Sequence, residues 1–61
     1  MEIQFLSKYP LHKTQKTAIS VIIKESLNNN IALEAIEKRI VEKTKIGAAL
    51  YKRGTTLYVV I

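Results

Sequence analysis

The sequence contains no cysteine, no tryptophan and no aspartate, and it has one histidine, one proline and two glycines. Without cysteine, neither a disulfide nor a thiolate metal site can stabilise the fold. A single histidine, His12, rules out a two-histidine metal site within one chain. Without aspartate there is no Ser-His-Asp triad, and Ser7, Ser20 and Ser26 have none of the flanking residues of a nucleophile elbow. Two glycines, Gly47 and Gly54, cannot form a glycine-rich phosphate loop. The five glutamates, scattered along the chain, form no acid–base pair. No catalytic activity, cofactor or metal is therefore expected. No apolar run reaches the ~18 residues of a membrane span. The opening MEIQFLSKYP lacks the charged-then-apolar pattern of a secretory signal. A cytoplasmic protein with no membrane association is expected.

What is present is a short, apolar and basic chain. Its 61 residues make one domain, 1–61, and 48% of them are hydrophobic, too many for a disordered chain. A domain of this size buries only about 60% of the surface its unfolded chain exposes. Tight packing or a partner must supply the rest. Ten Lys and Arg against five Glu give a net charge of +5, which favours anionic partners.

Periodicity supplies the elements. Residues 2–6 alternate, with Ile3 and Phe5 toward a core, as in a half-buried strand. Pro10 holds Tyr9 extended and closes that strand. Apolar residues from Leu11 to Leu27 recur at spacings of three and four, which predicts a helix over 11–27 begun by Pro10 or capped by Thr14. Its wide apolar face marks it as central. Asn28-Asn29-Asn30 ends that helix and starts the next. The stripe Leu33, Ile36 and Ile40 predicts a second helix over 31–43. From 46 the pattern predicts a hairpin: a strand over 46–51, a turn at Arg53-Gly54 and a return strand over 55–61. Lys52 is then expected beside Thr55, and Leu50 beside Leu57. A short helix over 45–52 is the alternative for the first arm.

The predicted architecture is α+β: a small β-α-α-β-β domain with two helices packed on one face of a short antiparallel sheet. Leu57, Tyr58, Val59, Val60 and Ile61 do not alternate. Either both faces of this strand are covered, one by a partner, or the strand lies between residues 3–5 and Leu50, with Tyr58 and Val60 partly exposed. On the first of these alternatives the five form an interface, with a homodimer or a larger protein partner expected there.

The basic residues fall into three groups in sequence: Lys8, His12, Lys13 and Lys16; Lys38, Arg39, Lys43 and Lys45; and Lys52 with Arg53. No acid occurs between Lys43 and Arg53. A basic hairpin tip beside a cationic helix is loosely similar to a winged helix. That resemblance implies a DNA-binding regulator. The strand-helix-helix start is also similar to the ribbon-helix-helix proteins, in which Glu2, Gln4 and Leu6 would face outward. The function expected is nucleic-acid binding, duplex DNA foremost. The phosphate contacts are expected from Lys38, Arg39, Lys43, Lys45, Lys52 and Arg53. Tyr51 is either a surface on which a base stacks or a cross-strand packing partner. The alternative function is an inhibitor or adaptor that adds its C-terminal strand to a partner's sheet.

Overall fold

The computed structural model describes residues 2–61. The elements run β1 (Glu2–Leu6), α1 (Lys13–Asn28), α2 (Leu33–Thr44), β2 (Ala49–Arg53) and β3 (Thr56–Val60). The β-α-α-β-β order and the α+β class are those read from the sequence. The sheet is mixed rather than wholly antiparallel. Its order is β1-β3-β2; β1 runs parallel to β3, and β2 and β3 form an antiparallel hairpin.

β3 is thus the central strand, with both of its edges paired. Its inner residues Leu57 and Val59 are fully buried with Ile19 and Ile23 of α1, Ile36 and Ile40 of α2, and Leu50 of β2. Both helices cover this one face. On the other face Tyr58 is half-buried and Val60 is 37% exposed.

α1 starts at Lys13, later than the periodicity suggests, because His12 is its cap. The His12 side chain accepts from the Thr14 backbone N–H, and Gln15 Oε1 accepts from the His12 backbone N–H at 2.9 Å. This is a capping box with histidine in the usual Ser/Thr place. The helix is less central than its composition implies. Residues 13–18 are exposed all round, and Val21 is 49% exposed.

The asparagines divide their work. Asn28 is the last helical residue, Asn29 caps, and Asn30 takes the left-handed conformation at φ 55°. The Asn30 N–H donates to Leu27 O and the Ile31 N–H to Ser26 O, the two bonds of a Schellman motif. Ile31 is consumed in closing α1, so α2 starts two residues later than predicted, at Leu33. Ser26 is buried, donates to Ile22 O at 2.7 Å and accepts from Arg39 at 3.3 Å, which ties the helices together.

The hairpin register also differs. Lys52 lies opposite Leu57 and Leu50 opposite Val59, two residues beyond the predicted partners. The loop is Gly54-Thr55, with Gly54 at φ 61°. A two-residue loop whose first central residue needs positive φ puts glycine in that place and leaves Arg53 in the strand. Residues 45–48 are neither strand nor helix. Lys45 caps α2, and the Ile46 N–H donates to Thr44 Oγ1 at 3.2 Å.

Substituting the three asparagines separately should give unequal results. Asn30→Ala forces alanine into the left-handed region and should lower stability by about 1 kcal/mol. Asn28→Ala, inside the helix, should cost nothing. Urea unfolding midpoints of the two variants check this difference.

Candidate nucleic-acid interface

The strand directions decide which cations can act together. Leu6 pairs with Val60, and Val60 with Ala49, so these three form one row across the sheet. The chain leaves the sheet at Leu6, builds both helices, and returns at Ala49 in that same row. The helix pair is therefore tethered at both ends to one end of the sheet. The link into α1 spans residues 7–12 and the link out of α2 spans 45–48. Lys8, His12, Lys13 and Lys16 belong to the outgoing limb, and Lys43 and Lys45 to the returning one. Two groups far apart in sequence converge. Glu42 is the one carboxylate on these stretches, so this end supplies most of the net +5.

Lys52 and Arg53 go elsewhere. They end β2, and Ala49 to Arg53 spans about 13 Å at the usual strand rise. They are strand residues rather than turn residues, and strand alternation sends them to opposite faces. Lys52 shares the helix-side face with Leu50, and Arg53 shares the open face with Tyr51. The acids Glu2, Glu25 and Glu34 lie on the segments away from the basic end, so the far end is close to neutral. Lys38 is exposed in the middle of α2, and Arg39 donates to Ser26 on α1. The six residues named from sequence therefore do not form one surface. The topology brings the segments that carry Lys43 and Lys45 to the same end of the sheet as those that carry Lys8, Lys13 and Lys16, which sequence spacing alone could not show.

Two local features of the basic end run against helix energetics. α1 has no acidic residue in its first turn and carries Lys13 and Lys16 there and just beyond, where the helix dipole favours carboxylates. Lys45 holds the left-handed conformation at φ 61° while its N–H donates to Val41 O at 2.9 Å. Glycine is the usual residue for that position. Lys43, in the last turn of α2, has an ordinary explanation, since it offsets the dipole there.

The open sheet face carries Glu2, Thr56 and Arg53 in one row, Gln4, Tyr58 and Tyr51 in the next, and Leu6, Val60 and Ala49 in the third. The Tyr51 and Tyr58 rings stack with centroids 4.9 Å apart and planes 18° apart. Tyr51 thus has the cross-strand partner that was one of its two expected roles. Of the five residues named as an interface, Leu57 and Val59 are core, and Tyr58, Val60 and part of Ile61 reach the surface. Both edges of β3 are occupied, so strand addition through β3 is closed. Among the described residues, no three His or Glu side chains come together as a metal site.

No family model, curated protein or solved structure matches this chain. Its architecture alone does not establish the likeness to a winged helix. No helix among the described residues is long and apolar enough to cross a membrane.

Lys45→Gly should relieve the left-handed strain and raise stability by about 1 kcal/mol, read from the urea midpoint. An unchanged midpoint would show that the chain holds lysine there without strain.

Proposed function

We propose that this protein binds nucleic acid, and that its basic end holds the phosphate backbone. The observation that carries the reading is the start of α1. An exposed helix N-terminus gathers Lys13, Lys16 and the neighbouring Lys8, Lys43 and Lys45, and it lacks the carboxylate that would neutralise it. The start of α1 offers the positive potential of a helix N-terminus to phosphate oxygens, while His12 already accepts from the Thr14, Gln15 and Lys16 N–H groups, so the lysine side chains supply the contacts. Lysines there are unfavourable to the isolated helix and become favourable once an anion arrives. The left-handed Lys45 supports the same reading, because it keeps a cation at a position where glycine would be more stable.

Contacts of this kind grip phosphate and carry no sequence information by themselves. Duplex DNA is the partner to test first, since its two backbones present one phosphate charge per about 1.7 Å of helix axis. Affinity should fall steeply with salt, because each neutralised phosphate releases counterions.

Fluorescence anisotropy on a labelled duplex gives the slope of log K against log salt. Changing Lys13→Gln and Lys16→Gln together should reduce that slope by up to about 2, at about 0.9 per lost phosphate contact. Changing Lys52→Ala and Arg53→Ala together, at the far end, should leave it unaltered. No binding at low salt, or a slope that responds only to the far-end pair, would overturn the proposal.

A further inference from the structure

The two edges of the sheet are not alike. β2 is guarded. The Leu50 N–H on its outer edge donates to Glu37 Oε2 at 2.7 Å, and Lys52 and Arg53 end the strand. A side-chain carboxylate on one edge amide, with cations alongside, discourages pairing with another strand. β1 has no such guard. The Glu2 N–H donates to Thr55 O, and Leu6 O accepts from the Ile61 N–H. Glu2, Gln4 and Leu6 therefore turn their backbone groups inward, to β3. By strand alternation Ile3 and Phe5 turn theirs outward. Among the described residues, no loop or side chain bonds to those groups. The side chains of Ile3 and Phe5 lie on the core face but stay only half-buried.

We infer that β1 pairs antiparallel with β1 of a second copy of this chain, joining two sheets into one of six strands. The strand is self-complementary about Gln4. Setting Ile3 opposite Phe5 of the second copy uses all four outward groups of each strand in ladder hydrogen bonds. It also packs Ile3 on Phe5 across the join, extending both cores. On the open face the two Gln4 side chains meet at the two-fold axis, where each amide can donate to the other. Glu2, the only charge on the strand, lies opposite an uncharged Leu6, so no like charges meet. The antiparallel arrangement sets the basic end of each copy beside the near-neutral end of the other. Two chains of charge +5 thereby associate with their lysine clusters far apart. A second copy satisfies hydrogen bonding, apolar cover and charge together.

Sedimentation at high micromolar concentration tests the pairing. The native protein should sediment at twice the chain mass of 6.9 kDa. Gln4→Lys and Gln4→Glu each place like charges against each other at the axis and leave the core untouched. Each variant alone should sediment as a single chain, and an equimolar mixture should recover the double mass. Ile3→Pro removes an outward N–H that makes no bond within the chain. It should also yield the single-chain mass while keeping the native circular dichroism, whereas Ile3→Ala should keep some dimer. A native protein of single-chain mass, a dimer indifferent to Gln4→Lys, or a mixture that fails to re-associate would each overturn the inference.

Discussion

The hydrogen bonds between β1 and β3 run parallel, from Glu2 beside Thr56 to Leu6 beside Val60. Parallel strands cannot be joined by a tight turn and need a long crossover. Here that crossover holds everything between them: two helices and the antiparallel arm β2. Because β2 returns antiparallel to β3, it begins in the row where β1 ends. The helix pair is then pinned at both feet to one end of the sheet. The gathering of lysines at that end follows from strand direction. Had β1 been antiparallel to β3, α1 would leave from the hairpin-tip end, and its lysines would neighbour Lys52 and Arg53 instead.

Backbone conformation and charge meet at the same end. The chain has three described positions with positive φ: Asn30, Lys45 and Gly54. Asn30 and Gly54 are residue types suited to the left-handed region, and each completes a turn that the fold requires. Lys45 is not so suited. It stands where α2 stops and the chain turns back to the sheet, with Lys43 two residues earlier. The same end opens α1 with lysines where carboxylates would be favoured. A local cost of this kind is offset by packing elsewhere. In this chain the offset comes from seven closely packed aliphatic side chains under a small sheet.

Much of the fold was legible in the residues. Ile36 and Ile40 announced α2, the three asparagines announced the break between helices, and the run Thr55 to Ile61 announced a strand. The second option for that strand, between residues 3–5 and Leu50, is the observed one. The boundaries were less legible because capping outweighed periodicity. His12 and Gln15 fixed the start of α1 in a pattern that could have been read, with histidine standing for serine. Ile31 looked helical but was needed to close α1. The register of the hairpin depended on which of the two loop positions Gly54 occupies, and apolar patterning does not decide that. The basic end was illegible for another reason. Lys8 and Lys45 share no local pattern, and only the direction of β1 brings their segments together. The direction of a strand pair formed across most of the chain is not written in either strand.

The pairing of Glu2 with Thr56 joins residues 54 positions apart. On a ribosome adding about 5–20 residues per second, β1 is made roughly 3–10 seconds before its partner strand exists. For that interval Ile3, Phe5 and Leu6 have no sheet to join, although the helices can already form from local contacts. β1 therefore docks late, onto a surface made by residues synthesised long after it.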